Sequence, residues 1–341
     1  MLHLDDPDDL AAFYDERYAG SYMEEHAPID IERVVDVLRA VPSGVGAVLD
    51  YGCGQGAWLP VLREVFGGAD VSGIDISRAA IDKARSRFPS ARFDVFDGGR
   101  APFDDASFDL VFSFHVVEHV DDVENTVRDM VRLTRPGGHV VVITPCANAG
   151  SWEERLVRRL RDGVERSPTG ERRFFFDDPG HLRRLTSDEL VALVERAGGA
   201  PEVVWFADQR WGALEWLATA DWAQTRTIVD LERARSVRDL VLLAGDRAVL
   251  RVLAIAIAIK RSRARVHLRE RRRLARSLAV LALKPLAFPV AWGLEVAASA
   301  EWRRHRSDER GSSQYVIASN QVREATFDPS EVQQPGDQQD E

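Results

Sequence analysis

The segment Val48-Leu49-Asp50-Tyr51-Gly52-Cys53-Gly54-Gln55-Gly56 constrains this chain more than any other. Apolar residues run into an acid and then into alternating glycines, the pattern of a strand ending in a tight turn before a helix. Glycine at such a turn lets the backbone take positive φ and lets a ligand come close to it. The helix beyond offers unpaired N–H groups to an anionic ligand group.

Around this turn, β and α signals alternate, as in a parallel sheet covered by helices. Strands are expected at Ala47–Asp50, Asp70–Asp75, Ala91–Phe96, Phe108–Ser113 and His139–Thr144. Helices are expected between them at Trp58–Phe66, Ala79–Arg87 and Val123–Thr134. Upstream, Leu10–Arg39 has helical spacing, with Ile31, Val34, Val35 and Leu38 on one stripe, and Pro42-Ser43-Gly44 ends it. Residues 146–180 form an Arg-rich, mixed insertion. Thr186-Ser187-Asp188-Glu189 then starts a helix that stops at Gly198-Gly199, and a sixth strand follows at Glu202–Phe206. A strand-poor region, 207–311, precedes a seventh strand at Gln314–Ser319, and the tail 323–341 has the composition of a disordered segment.

Two acids extend the glycine turn into a pocket. Asp75, in Gly73-Ile74-Asp75-Ile76-Ser77, ends the second strand where a carboxylate can hold ribose hydroxyls. Asp97, in Phe93-Asp94-Val95-Phe96-Asp97-Gly98, ends the third, where it can accept from an adenine amino group. The glycines and Asp75 fit either S-adenosylmethionine (SAM) or NAD. The choice tilts at Phe108-Asp109-Leu110-Val111-Phe112-Ser113-Phe114-His115-Val116-Val117-Glu118-His119-Val120, followed by Leu133-Thr134-Arg135-Pro136-Gly137-Gly138-His139-Val140-Val141-Val142-Ile143-Thr144-Pro145. In this order and spacing, the segments from Val48 to Phe206 resemble the class I SAM-dependent methyltransferases that modify small molecules, quinones and lipids. The resemblance implies an α/β fold: a Rossmann-like seven-stranded sheet, mostly parallel with an antiparallel last strand. Here a helical insertion would separate the last two strands. It also implies that Asp50, Gly52, Cys53 and Gly54 line the methionine part of SAM, and that Asp75 binds the ribose. Ile76 would pack on the adenine and Asp97 would take its amino group, with Gly98 allowing the approach. Phe114 and His115 would close the pocket, and residues 1–45, with Phe13, Tyr14, Tyr18 and Tyr22, would form a cofactor lid.

Methyl transfer asks little of side chains, because SAM carries its own leaving group and the protein mainly aligns the reactants. A base is needed only where the acceptor must lose a proton. The candidates are His115, His119 and His181, with His181 the first choice on the acceptor side, since Pro179-Gly180-His181-Leu182-Arg183-Arg184-Leu185-Thr186 resembles the family's histidine segment that returns toward the active site. In a helix, His115, Glu118 and His119 would share one face and present metal ligands. Quinone O-methyltransferases resemble this with carboxylate, carboxylate and histidine. His115 departs from that pattern, so no metal is expected.

The formal net charge of −10 argues against a nucleic-acid partner. The two cysteines, Cys53 and Cys146, cannot by themselves frame a metal cluster. The acidic N-terminus lacks the features of a signal peptide, which points to the cytoplasm. Within 240–297, two interrupted apolar stretches flank Lys260, Arg261, Arg263, Arg265, Arg269, Arg271, Arg272, Arg273 and Arg276. That pattern suits a helical unit lying in a membrane interface, at the inner face, better than one crossing it. The insertion leaves the sheet at a carboxyl end and is expected to wall a small or lipid-like acceptor. The rival readings are a soluble helical subdomain, a catalytically silent SAM-fold protein, and an NAD(P)-dependent oxidoreductase. The last lacks a Tyr-x-x-x-Lys pair.

Overall fold

The computed structural model describes residues 7–321 apart from 21, 25, 168, 220–221 and 263–270. In chain order the elements are α1 (Pro7–Ala19), α2 (Pro28–Ala40), β1 (Ala47–Tyr51), α3 (Leu59–Val65), β2 (Asp70–Asp75), α4 (Arg78–Arg87), β3 (Phe93–Val95), β4 (Phe108–Phe114), α5 (Val123–Leu133) and β5 (Thr134–Pro145). Then follow α6 (Trp152–Arg158), β6 (Val164–Arg166), β7 (Arg172–Phe174), α7 (Ser187–Arg196), β8 (Gly199–Ala207), α8 (Trp211–Thr219), α9 (Trp222–Ile228), α10 (Val237–Arg261), α11 (Arg271–His305) and β9 (Ser313–Asn320).

Seven strands form one sheet in the order β3-β2-β1-β4-β5-β9-β8. The first five are parallel, and β9 runs antiparallel between β5 and β8. Both faces are covered, so the strands are apolar at nearly every position. Val48, Leu110, Phe112, Val141 and Ile143 meet α2 and α3 on one face. Leu49, Val111, Val140 and Val142 meet α5 and α7 on the other. The alternation follows from the period of two along a strand. The expected start of α7 is a full capping box between Thr186 and Glu189.

The expected helix over Leu10–Arg39 is two helices, α1 and α2. The break at 20–27 follows Gly20 and precedes Pro28, which suits the first turn of the second helix. The pair also differs in role. α1 lies over the carboxyl edge of the sheet, whereas Val34, Val37 and Leu38 of α2 are fully buried in the main core. Residues 1–45 therefore divide between the sheet edge and the core. The mixed insertion contains a short hairpin, β6–β7.

Between β8 and β9, α8 to α11 form a helical unit with its own apolar cluster, which α6 joins through Trp152 and Leu156, and Leu160 just after it. The last turns of α11 belong elsewhere. Trp302 is 1 % exposed in the main core and donates from its indole nitrogen to Asp36 at 2.8 Å. Glu301 accepts from the backbone N–H groups of Arg210, Trp211 and Gly212, satisfying the start of α8. No helix among the described residues is long and apolar enough to cross a membrane. The expected arginine-dense stretch 263–270, the side chains at 271–281 and the tail 323–341 lie outside the described residues.

Candidate active site

A cavity of about 520 Å³ opens at the carboxyl ends of β1, β2 and β4, beneath α1 and the turn after it. Its floor is the glycine turn. Gly52 and Gly54 have φ of +79° and +51°, and a Cβ built on Gly52 would stand 2.2 Å from Val116 Cγ2. The turn is a cradle that a side chain would fill. Behind it lies Asp50, 1 % exposed, with neither carboxylate oxygen hydrogen-bonded. Burial, and then the charge of Asp75, push its carboxyl up to about 8. A buried acid without donors is a destabilising feature that a cation brought to the turn would relieve.

Asp75 lines the cavity and holds the turn in shape. Its carboxylate accepts from the Gly54 N–H at 2.8 Å and the Ser77 N–H at 2.9 Å. Burial outweighs those two bonds and raises it to about 6. Ile76, exposed Asp97, Gly98 (φ +86°), Cys53, Phe114 and His115 also line the cavity. Of the residues expected to meet SAM, only Asp50 stands behind the wall rather than in it. The unpartnered acid, the cradle and the strand-end carboxylates together fit the chemistry of SAM, which carries an ammonium and a ribose.

The lid is tied down by polar contacts that no local pattern foretold. Asp15 of α1 accepts from the Ser77 hydroxyl at 2.6 Å and the Ala79 N–H at 2.9 Å, so the lid caps α4. Arg17 makes a bidentate pair with Asp178, both contacts at 2.5 Å, and lies over the ring of Tyr22. Tyr14, Tyr18 and Tyr22 face the cavity. His26 stacks on Trp58 at 3.9 Å with 14° between the rings, and both line the cavity. The His26 Nε2 and Trp58 Nε1 atoms are buried and unpartnered, and burial lowers His26 to about 4. His26 and Trp58 escaped sequence reasoning, because nothing in the chain marks two aromatics so far apart as neighbours.

His115, Glu118 and His119 do not share a helical face. They lie on a turn between β4 and α5, and His115 takes φ of +56°. The strand ends at Phe114, and α5 starts only after its cap, Asp122. The turn still gathers charge. His115 Nδ1 is 2.9 Å from Oε1 of Glu118, which is 1 % exposed, and the Thr144 hydroxyl donates to Oε2 at 2.9 Å. His115 and His119 line the cavity, whereas His181 does not. It packs edge-on behind His119, with ring centroids 4.6 Å apart. Among the described residues, the insertion contributes no wall. Every lining residue falls between Leu10 and Thr126. The expected wall fails because β8 is the far edge strand, three positions from β4 in the sheet.

Residues 23–200 match the family described as a methyltransferase domain. With the sheet order and the glycine-turn cavity, this places the chain in the class I SAM-dependent methyltransferase family. It is 33 % identical over 153 residues to a probable S-adenosylmethionine-dependent methyltransferase of Mycolicibacterium smegmatis, covering 44 % of this chain and 51 % of that one. It is 36 % identical over 115 residues to the chloroplastic tocopherol O-methyltransferase of Arabidopsis thaliana, covering 32 % and 33 %. It is 31 % identical over 109 residues to a ubiquinone/menaquinone biosynthesis C-methyltransferase of Desulfotalea psychrophila, covering 31 % and 44 %. The chain thus spans about half the length, or less, of these curated relatives.

Proposed function

We propose that this protein transfers a methyl group from SAM to a small or lipid-like acceptor, at oxygen, in the cavity under α1. The observation that carries the reading is the cradle of Gly52 and Gly54 between unpartnered Asp50 and strand-end Asp75. In this reading Asp50, Cys53 and the two glycines hold the methionine end of SAM. Asp75 holds the ribose, and Ile76, Asp97 and Gly98 hold the adenine. SAM supplies the activated methyl and its own leaving group, so alignment is the larger part of catalysis. Phe114 and the His26–Trp58 stack shape the acceptor side, and the lid excludes water. His115 is assigned to take the proton from an acceptor hydroxyl. The Glu118 carboxylate stands beside Nδ1 and so leaves the other ring nitrogen for the acceptor. His119 and His181 sit behind it.

The lipid-like acceptor is supported by the surface of α10 and α11. Val241, Val252, Leu286 and Trp292 are 66 %, 61 %, 72 % and 55 % exposed, and the segment joining the helices is dense in arginine. An apolar face beside basic residues suits an anionic bilayer surface. As units we propose an α1 lid, a catalytic unit of 46–206 plus 312–322 to which α2 is added, and the helical insertion.

The test is binding and transfer. Calorimetry should show S-adenosylhomocysteine binding, reduced about tenfold or more by Asp75→Ala and by Gly52→Ala, since alanine is strained at that φ. Labelled SAM should deliver methyl to a component of a lipid or small-molecule extract, and to an oxygen atom in the product. Binding of NAD(H) with no response to S-adenosylhomocysteine would sink the assignment.

A further inference from the structure

Glu118, His119 and His181 present a problem that the proposed methyl transfer does not solve. A carboxylate 1 % exposed sits against imidazoles, with its Oε1 2.9 Å from His115 Nδ1, and His181 Nδ1 is buried without a hydrogen-bond partner. His181 is 9 % exposed. Buried polar atoms are nearly always satisfied, so an unpartnered imidazole nitrogen close to a buried carboxylate calls for an explanation. One ligand atom from each of the three residues lies within 4.8 Å of the other two, and His119 Nε2 is 3.9 Å from Glu118 Oε1.

We propose that Glu118 Oε1, His119 Nε2 and His181 Nδ1 bind a divalent transition-metal ion, zinc by preference, at the inner wall of the cavity. Two imidazoles and one carboxylate form a donor set suited to zinc, whereas magnesium favours oxygen ligands. Zinc holds such atoms at about 2.0–2.2 Å. The three donors would therefore close on one another by about 1 Å or somewhat more, a matter of small side-chain rotations.

The surroundings resemble a prepared outer shell. His119 Nδ1 lies 3.0 Å from the Gly180 carbonyl and 2.6 Å from the Tyr14 hydroxyl. With the proton on Nδ1 shared toward that carbonyl, Nε2 is the free donor, the arrangement that ligating histidines adopt. The Thr144 hydroxyl fixes the other oxygen of Glu118. The Glu118 carbonyl accepts from the Leu182 N–H at 2.7 Å, which locks the two ligand-bearing segments together. This set differs from the one that sequence spacing suggested. His181 arrives from the segment before α7, and His115 remains beside the carboxylate as a neighbour.

Three protein donors leave one position of a four-coordinate ion open. His119 is the ligand that lines the cavity, so an acceptor oxygen is the kind of group that would complete the site. The binding claim itself does not depend on the methyl-transfer reading. Untagged protein should be stripped with chelator, loaded with zinc, desalted and assayed by elemental analysis. About one zinc per chain is expected, with the strong visible bands of a four-coordinate ion when cobalt replaces it. His119→Ala and His181→Ala should both lose the metal while unfolding cooperatively. Wild-type zinc content in His181→Ala would overturn the proposal. If the variants do not fold, the cobalt spectrum of the unaltered protein decides, and its absence would overturn the site equally.

Discussion

Residues 47–126, which build one half of the sheet, and the helices from Trp211 to His305, which leave it after β8, treat apolar surface in opposite ways. In the first region the strands are buried on both faces, and the turns at their carboxyl ends line one cavity. Among the described residues, the second contributes nothing to that cavity and carries all the exposed large apolar side chains except Ile31 and Val164. A parallel sheet can hide its apolar residues because helices cover both sides. A helical unit inserted at an edge strand has one side to lean on. Leu243, Leu250, Ala256 and Ile257 of α10 face Ala287, Ala291 and Leu294 of α11 and the helices beneath, and the remaining stripe faces outward. The first region encloses a cavity, and the second leaves an apolar stripe exposed.

The largest effect tests how separable the two regions are. Truncation after residue 210 removes β9, whose Tyr315, Val316 and Ile317 are buried between β5 and β8. It should yield insoluble or unfolded protein, because it opens an unpaired edge and the core at once. Replacing residues 212–300 by a short linker is a milder cut. It keeps Trp302 in the core, and it keeps Asp208 on Arg33, which is 3 % exposed and paired at 2.8 Å. That variant should still bind S-adenosylhomocysteine, with a lower melting temperature because Trp152, Leu156 and Leu160 lose their cover. A soluble, binding-competent truncation at 210 would show that the sheet does not need its last strand.

An intermediate effect probes the cavity region alone. Asp50 is raised to about 8 from the ordinary carboxylate range, so the folded state holds its proton where the unfolded chain has released it. Stability from this group is fully present below about pH 4 and is lost as pH rises through about 8. Asp50→Asn should flatten that part of the decline, by at most a few kcal/mol. Binding should move the other way. A ligand ammonium favours the carboxylate, so S-adenosylhomocysteine affinity should climb between pH 6 and 8, with proton release, in the wild type only. Calorimetry in buffers of different ionisation enthalpy measures both. An equal slope in Asp50→Asn would remove Asp50 from the site.

Legibility follows the same division. The cavity floor could be read from the chain because its requirements are local: a glycine at each positive φ, and an acid where a strand stops. The seven strands were legible for a related reason, since a strand buried on both faces is a continuous apolar run. What could not be read depends on approach through space. Arg17 meets Asp178, His26 meets Trp58, and His181 meets His119 only after the sheet has formed. The helical face expected for His115, Glu118 and His119 failed because the strand runs to Phe114 and leaves the backbone turning where a helix was assumed. The insertion's place between the last two strands was legible from the late β-forming run at 314–319. Its distance from the cavity was not, since strand order in the sheet is invisible to local pattern.

The smallest effect on the fold, and the sharpest on the comparison, comes from the outward stripe. Val241→Ser, Val252→Ser and Leu286→Ser together change side chains that are 66 %, 61 % and 72 % exposed. Each should alter stability by no more than about 0.5 kcal/mol, because little packing is lost. Transfer to a water-soluble acceptor should be unchanged, since no wall of the cavity is touched. Sedimentation with anionic liposomes should nonetheless fall, at low and at high salt alike, because apolar insertion is not screened. Arg271→Gln, Arg272→Gln and Arg273→Gln should weaken binding in a way that salt modulates. Each basic residue near an anionic surface contributes on the order of 1 kcal/mol, so the triple change costs up to roughly 100-fold at low salt and far less once charges are screened. The two variants separate the apolar from the electrostatic part. If the unaltered protein stays in the supernatant with anionic liposomes at low salt, the insertion meets no bilayer, and the lipid-like acceptor loses its main support.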